Sequence, residues 1–445
     1  MYSEKISKEL KKSGIGPGDR VSFNFKGTQS EGELMPSTEA NAFDIVVIKL
    51  DNGYNIGVDF YASRLRLIAK RKGKIAFPKA KIKQAETLPK VSVVYTGGTI
   101  GSRVDYKTGG VSTLQSPEEL FYTVPELAGI ARIEPQQLFN ISSEDMTSAE
   151  WQKIAESVAS KLNHGSRGVV ITHGTDTMHF TAAALSFMLE GLNAPVVITG
   201  SQRSPDRGSS DAFMNLICSA HAAARSDVAE VSICMHSSSS DDRCALMRGT
   251  KTRKMHTSRR DAFKPINDSP IALIAQSGAI EYTGNSYRRV VREERRKIVP
   301  RAKFERRVAL VKPYPGASPE IMEFYIGKGY RGMIIEGTGL GHTPVSTRDK
   351  EDSWLPAIKR AVSSGMVVGM TSQTLHGRVH PSVYKNLRLL SNAGVIYCED
   401  MLPETAYVKL GWLLGNHTRD KAAEMLPKNL VGEIKGRSEY NDFGV

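Results

Sequence analysis

Residues 168–177 read GVVITHGTDT, a run of apolar residues that passes directly into a polar turn. The run Gly168–Thr172 has the length of a strand buried on both faces and lacks the alternation of a strand with one wet face. Asp176–Glu190 then follows a helical pattern. Strand, turn and helix in this order are typical of a parallel sheet that is covered by helices.

The same rhythm starts at Val91 and is interrupted once, by the charged stretch Tyr287–Arg307. We therefore expect two α/β lobes with parallel sheets flanked by helices, at 91–286 and 307–425, joined by a linker over 287–306 and followed by a tail, 426–445. The further strands are predicted at Val91–Tyr95, Pro195–Gly200, Val231–Met235, Val308–Val311, Gly332–Glu336, Met366–Met370 and Val395–Tyr397. Helix starts are predicted at Ser116-Pro117-Glu118-Glu119, Thr147-x-x-Glu150 and Ser318-Pro319-Glu320.

The first 70 residues differ from the rest and predict a small β-barrel-like module. Ser3–Lys12 has a helical pattern, and Val21, Phe23 and Phe25 alternate as in a half-buried strand. Asp51-Asn52-Gly53 is a strong hairpin signal, because Asn-Gly tolerates positive φ. A basic linker is expected over 71–90.

The chain has 445 residues and a net charge of +13. Arg64–Lys83 contains no acidic residue, which fits either a solvated linker or a surface that contacts phosphates. Met1–Lys5 does not begin an apolar signal segment, so a cytoplasmic location is expected. The four cysteines have no CxxC spacing, and the histidines near 173 and 179 are not part of an HExxH motif, so no metal site is predicted.

Two threonine-rich motifs follow predicted strands, Tyr95-Thr96-Gly97-Gly98-Thr99-Ile100 and His173-Gly174-Thr175-Asp176-Thr177. Binding sites of open α/β sheets lie beyond the carboxyl ends of the strands, which is where both motifs fall. A threonine hydroxyl becomes a nucleophile when a base activates it, and Lys251 in the polar stretch 248–253 is the candidate. Alone, either motif is also compatible with an ordinary turn or a helix cap.

From about residue 90 to 420 the chain resembles the bacterial-type L-asparaginase/glutaminase family. The landmarks that carry the resemblance occur in order: Thr96–Ile100, Tyr106, Ser143–Met146, His173–Met178, Ser210–Asn215 and Thr250–Thr252. The resemblance implies an amidohydrolase in which a threonine attacks the side-chain amide of glutamine or asparagine.

Carried over by position, the resemblance assigns roles to individual residues. The implied catalytic residues are Thr99, Tyr106 near its hydroxyl, and a group formed by Thr175, Asp176 and Lys251; the implied substrate-binding residues are Ser143, Glu144 and Asp176. Many relatives have glutamine where Glu144 stands, which leaves the choice between glutamine and asparagine open. Which of the two threonines, Thr99 or Thr175, is acylated also stays open.

The extra basic module ahead of the two lobes resembles the D-subunit family of archaeal-type glutamyl-tRNA(Gln) amidotransferases. That resemblance implies an ammonia-generating subunit that works with an E-type subunit on Glu-tRNA(Gln), as a homodimer within a heterotetramer. The chain has no GxxxxGK[ST] motif and no cofactor is expected in it, so ATP and Mg²⁺ would belong to the partner. The alternatives are a free-standing cytoplasmic L-asparaginase with an accessory β module and, more distantly, a binding protein without activity.

Overall fold

The computed structural model describes most of the chain. The described residues are 2–25, 27–35, 44–51, 55–70, 85–98, 100, 102–104, 111–113, 124–205, 209–284, 286–291 and 297–439. The helix start predicted at Ser116 lies outside them.

The N-terminal residues form a helix and an antiparallel sheet. Their elements are α1 (Glu4–Lys12), β1 (Arg20–Phe25), β2 (Thr28–Leu34), β3 (Ile45–Lys49), β4 (Asn55–Asp59), α2 (Phe60–Ser63) and β5 (Arg66–Ala69). The five strands lie in the order β4-β3-β2-β1-β5 around a core that includes Ile6, Val21 and Phe23. The predicted hairpin is present, since Lys49 pairs with Asn55, and its turn residues 52–54 lie outside the described part of the chain.

The first α/β lobe follows. Its elements are β6 (Lys90–Tyr95), β7 (Ser102–Val104), β8 (Val111–Thr113), α3 (Leu127–Ile130), β9 (Arg132–Gln137), α4 (Ser148–Asn163), β10 (Gly168–Thr172), α5 (Met178–Met188), β11 (Leu189–Glu190), β12 (Val196–Thr199), α6 (Ala212–Arg225), β13 (Val231–His236), β14 (Arg243–Arg248), β15 (Thr252–Lys254), β16 (Phe263–Pro265), β17 (Ala272–Ala275), β18 (Ile280–Tyr282) and β19 (Val299–Pro300).

Eight of the described strands form the main sheet, in the order β18-β17-β14-β13-β12-β10-β6-β9. β9, β6, β10, β12 and β13 run parallel to one another, whereas β14, β17 and β18 are antiparallel to their neighbours. The lobe therefore has a mixed sheet where a parallel one was predicted. The short connections after β13 and β17 reverse the chain, and short connections join antiparallel strands.

Helices cover both faces of this sheet. The apolar sides of α4 and α5 pack on one face, with Ile154 and Leu185 fully buried, and α6 packs on the other. The predicted capping box is confirmed at the start of α4, where the Thr147 side chain accepts from the backbone and Glu150 binds back to the backbone N–H of Thr147.

The second lobe is a parallel α/β unit. Its elements are β20 (Val308–Val311), α7 (Glu320–Gly327), β21 (Gly332–Gly337), α8 (Trp354–Ser363), β22 (Val367–Ser372), α9 (Lys385–Asn392), β23 (Ile396–Tyr397), α10 (Pro403–Asn416) and α11 (Arg419–Met425). Its strands lie in the order β20-β21-β22-β23. Leu185 of α5 and Leu410 of α10 belong to one continuous buried cluster, so the two lobes share part of their core.

Candidate active site

The site is built where three neighbouring parallel strands end. Tyr95, the last residue of β6, pairs with Thr172 at the end of β10 and with Gln137 at the end of β9. The Thr96 hydroxyl donates to the Thr172 carbonyl at 2.8 Å and joins the first residue beyond β6 to the last residue of β10. The two threonine motifs therefore start side by side, as their position after predicted strands indicated.

Glycines bring the two motifs into direct backbone contact. A Cβ atom on Gly98, whose φ is +86°, would lie 2.5 Å from the Gly174 nitrogen. A Cβ atom on Gly174 would in turn lie 2.8 Å from the Ser143 Oγ. Real Cβ atoms do not approach other atoms so closely, so glycine is required at both positions. These two glycines therefore serve contacts with protein backbone and with Ser143.

Lys254 connects Thr175 with Asp176. Its Nζ donates to Thr175 Oγ1 at 2.8 Å and to Asp176 Oδ1 at 2.7 Å. Thr175 is buried, with 9% of its surface exposed, whereas the Asp176 side chain is 68% exposed. One face of this group is therefore shielded by the fold, and its carboxylate remains open to a ligand that approaches from solvent.

The lysine at this position is Lys254, where the sequence led us to expect Lys251. Lys251 lies three residues earlier, fully buried, and its Nζ donates to Asp400 Oδ2 at 2.6 Å in the second lobe. Burial lowers the pKa of the Lys251 ammonium, and the Asp400 carboxylate opposes that shift. The physical reason for the error is that β15 starts at Thr252, so only the last residue of the strand reaches the motif that follows β10.

Ser143 and Glu144 lie on a short 3-10 helix, Ser143–Asp145, in the segment that follows β9. Ser143 is buried against Gly174, and its carbonyl accepts from Thr177 Oγ1 at 2.6 Å. Glu144 is exposed. The predicted substrate-binding segment is therefore held against the second motif, with its acidic side chain directed to solvent.

Thr99 and Tyr106, the other catalytic residues expected from the resemblance, lie outside the described residues. Ile100, directly after Thr99 in the sequence, is buried in the core of the first lobe. The roles expected of Thr99 and Tyr106 stay predictions.

A fourth strand end, which the sequence did not indicate as part of the site, supports Thr175. A Cβ atom on Gly200, directly after β12, would lie 3.2 Å from the Thr175 methyl group. The fully buried Asp211 carboxylate accepts from the backbone N–H groups of Gln202 and Arg203 at 3.0 Å each. Asp211 thereby fixes the segment that borders Thr175; its place in the Ser210–Asn215 landmark was the available signal.

His173 is a structural member of the second motif. Its Nδ1 lies 2.6 Å from the Gly174 carbonyl and its Nε2 lies 2.8 Å from Thr181 Oγ1, a hydroxyl that also accepts from Trp151 Nε1. Complete burial lowers the pKa of His173 to about 4. A neutral ring with its proton on Nδ1 satisfies all of these partners, so His173 orients the turn without carrying charge.

Within the described residues there is no cluster of histidine, cysteine and acidic side chains suited to a metal ion. Cys218, Cys234, Cys244 and Cys398 are buried and unpaired. In the same part of the chain, no helix has the length and apolar character needed to cross a membrane.

The fold defines a class of protein, the asparaginase-like α/β proteins, and comparison with known families agrees with this class. Residues 90–288 match the model of the asparaginase N-terminal domain, and 307–426 match the glutaminase/asparaginase C-terminal domain. The thermostable L-asparaginase from Thermococcus kodakarensis superimposes with a TM-score of 0.67 and 29% identity, covering 78% of this chain and 100% of that one. L-asparaginase I from Vibrio cholerae gives a TM-score of 0.66 and 30% identity, with coverage of 78% and 99%.

The N-terminal module narrows the class further. Residues 15–68 match the GatD N-terminal domain. The D subunit of glutamyl-tRNA(Gln) amidotransferase from Pyrococcus furiosus is 51% identical over 448 residues, covering 99% of each chain, and that from Methanothermobacter thermautotrophicus is 43% identical with the same coverage. The chain belongs to the family of glutamyl-tRNA(Gln) amidotransferase D subunits.

Proposed function

We propose that this chain releases ammonia from the side-chain amide of glutamine or asparagine, as the D subunit of an amidotransferase that converts Glu-tRNA(Gln) to Gln-tRNA(Gln). The observation that carries the chemical half is the contact of Lys254 Nζ with both Thr175 Oγ1 and Asp176 Oδ1. The tRNA-dependent part of the proposal is supported by 51% identity to the Pyrococcus furiosus D subunit over 99% of both chains, and by the match of residues 15–68 to the GatD N-terminal domain.

In the proposed reaction a threonine hydroxyl attacks the amide carbon. If Thr175 is the nucleophile, its hydroxyl proton passes by way of Lys254 to the leaving nitrogen, so the C–N bond breaks and ammonia departs. A water molecule then hydrolyses the acyl ester to glutamate or aspartate and regenerates the threonine. If Thr99 is acylated instead, Thr175, Asp176 and Lys254 serve to position and activate the water.

The charges at the site suit an α-amino acid. Asp176 is largely exposed and Glu144 is an exposed residue of the 3-10 helix, so both carboxylates are available for the substrate ammonium. We assign the α-carboxylate to the polar groups around Ser143 and the oxyanion to the backbone N–H of Thr175. These assignments follow the asparaginase pattern and the proximity of Ser143 to Gly174.

The central experiment replaces the lysine at the site. Lys254→Met should lower the rate of ammonia release by about 10²–10⁴-fold, the usual contribution of a general acid–base group. Lys264→Met is the matched control on the adjacent strand β16, because its Nζ binds the Ser237 carbonyl and Asp261. Equal losses in both variants, or full activity of Lys254→Met, would refute the proposed role of Lys254.

The acylated threonine is identified by a covalent adduct. Enzyme quenched during turnover of glutamine is digested, and the glutamyl adduct is mapped by mass spectrometry to Thr99 or Thr175. The adduct should be lost only in the Thr→Ala variant of the acylated residue. Ammonia release without an adduct on either threonine would contradict nucleophilic catalysis by threonine.

The tRNA-dependent role is separated from a free-standing asparaginase by the partner. We expect the chain alone to hydrolyse glutamine slowly, and the E-type subunit with Glu-tRNA(Gln), ATP and Mg²⁺ to stimulate it strongly. Rapid hydrolysis of asparagine by the chain alone, unchanged by partner and tRNA, would favour the free-standing L-asparaginase that the similarity to the Thermococcus enzyme also permits.

A further inference from the structure

The hairpin that carries Lys254 is attached to the second lobe at both of its ends. The hairpin consists of β15 and β16, with Lys251 directly before it and Asn267 two residues after it. The Ile266 N–H donates to the Lys251 carbonyl at 2.7 Å and closes the base. Its position is therefore decided by whatever holds these two flanking residues.

Asp400 of the second lobe holds both of them. Lys251 Nζ donates to Asp400 Oδ2 at 2.6 Å and to the Asp400 carbonyl at 3.1 Å. Asn267 Nδ2 donates to the same carbonyl at 3.4 Å and to the Gly377 carbonyl at 3.1 Å, and its Oδ1 accepts from the Gly377 N–H at 2.8 Å. Lys251, Asn267 and Asp400 are all nearly inaccessible to solvent, so water competes little for these contacts.

A second carboxylate from the same lobe reaches the strand itself. Glu404 Oε1, in the first turn of α10, lies 3.1 Å from Arg253 Nη1 and 3.7 Å from His179 Nε2. Arg253 is the neighbour of Lys254, and His179 lies in the first turn of α5, shortly after Thr175 and Asp176. One carboxylate thus contacts both elements whose separation decides whether Lys254 reaches the threonine.

We propose that Lys251, Asp400 and Glu404 are positioning residues, through which the second lobe holds Lys254 at hydrogen-bond distance from Thr175 and Asp176. This inference rests on the proposed function, because it concerns the alignment of the same lysine. None of the three residues is assigned a contact with the substrate. Their effect is on the orientation of the group that transfers the proton, where a displacement of about 1 Å costs on the order of 100-fold in rate.

The test compares two buried ion pairs of the same kind. Lys251→Met/Asp400→Asn removes both charges, and the asparagine oxygen can still accept from the Lys435 N–H, as Asp400 Oδ1 does at 3.0 Å. Lys409→Met/Glu433→Gln is the matched control, because that pair is equally buried, with a 2.6 Å contact, and joins α10 to the C-terminal segment. Removing both partners of a buried pair avoids leaving a lone buried charge.

Both double variants are made in the full-length chain and assayed with the partner subunit present. The anchor variant should lose about 100-fold in kcat with KM for glutamine changed less than about twofold, while the control keeps both values within about twofold. Amide hydrogen exchange across 252–265 should accelerate in the anchor variant only. Glu404→Gln should also reduce kcat. The accompanying change in the thermal midpoint should be comparatively small.

The outcomes separate this inference from the proposed function. An inactive wild-type chain under all conditions overturns the proposed function itself. An active wild type whose anchor variant keeps its kcat, or whose control variant loses as much, overturns the positioning role and leaves the amidohydrolase intact. Faster exchange across the hairpin with unchanged kcat also overturns it, because the hairpin would then move without consequence for Lys254.

Discussion

His173 shows how burial decides the state of an ionisable side chain beside the site. It adjoins Gly174, whose backbone contacts Gly98, and it has no exposure to solvent. Its two ring nitrogens are occupied by the Gly174 carbonyl and the Thr181 hydroxyl. A protonated ring would place a second donor against that hydroxyl in a region shielded from solvent, which opposes protonation.

The burial of His173 predicts a dependence of stability on pH. Its pKa is about 4 in the folded chain and near 6.5 when unfolded, so between these values the unfolded chain binds the extra proton. The stability is complete above pH 6.5 and falls by up to about 3 kcal/mol as the pH drops to 4. Urea unfolding across this range should show a weaker decline for His173→Gln, whereas His164→Gln, at an exposed position, should follow the wild type.

Lys251 and Lys254 mark the limit of what residue types reveal. Residues 248–254 read RGTKTRK and contain four basic side chains within seven positions. The candidate base expected from the sequence, Lys251, lies in 248–253, whereas the lysine that contacts Thr175 is Lys254, directly after that stretch. The choice between the two lysines depends on Asp400, which lies 149 residues after Lys251. Asp400 binds Lys251, and Lys254 is the lysine that contacts Thr175. No local pattern contains that contact.

Among the elements, the strands of the parallel core were the most predictable. Uninterrupted apolar runs such as Gly168–Thr172 identified strands buried on both faces, and the motifs after them identified the sheet edge that carries the site. The antiparallel strands β14, β17 and β18 were not foreseen. β17 and β18 are only four and three residues long and are not buried at every position, which weakens their apolar pattern. Strand direction is also set by connections whose course the sequence does not state.

The contact between the turn after β6 and the turn after β10 gives a prediction for Gly98. Gly98→Ala requires a left-handed backbone and a Cβ atom 2.5 Å from the Gly174 nitrogen, so we expect strain of about 1–3 kcal/mol and a loss of ammonia release. Gly129→Ala is the control, because Gly129 lies in α3 and its Cβ would meet no atom within 4 Å. Thermal melting and ammonia assays should show a loss for Gly98→Ala only; equal behaviour of the two variants would argue against the contact.

At the scale of the molecule, the C-terminal segment completes the second lobe. Residues 426–445 were expected to form a tail, yet Glu433 is fully buried and its carboxylate contacts Lys409 Nζ at 2.6 Å. The same carboxylate accepts from the N–H groups of Leu430 and Val431. Within the described residues up to 439, the segment is therefore packed against α10.

Removing one partner of this pair should destabilise the whole chain. Glu433→Ala leaves Lys409 buried without a counter-charge, and such changes cost about 3–5 kcal/mol. Glu424→Ala removes an exposed carboxylate that contacts Lys421 and Lys428, and its effect should be much smaller. Chemical denaturation of the two variants measures the difference, and similar midpoints would show that the segment does not stabilise the fold.

The attachment of the hairpin to Asp400 has a consequence for synthesis on the ribosome. Chains fold from the N-terminus as they emerge, and contacts between distant residues form late. Lys251 can contact Asp400 only after 149 further residues have been synthesised. A nascent chain that has finished its first lobe therefore has both threonine motifs but lacks the Asp400 contact of the hairpin that carries Lys254, so we expect amide hydrolysis only after nearly the whole polypeptide has left the ribosome.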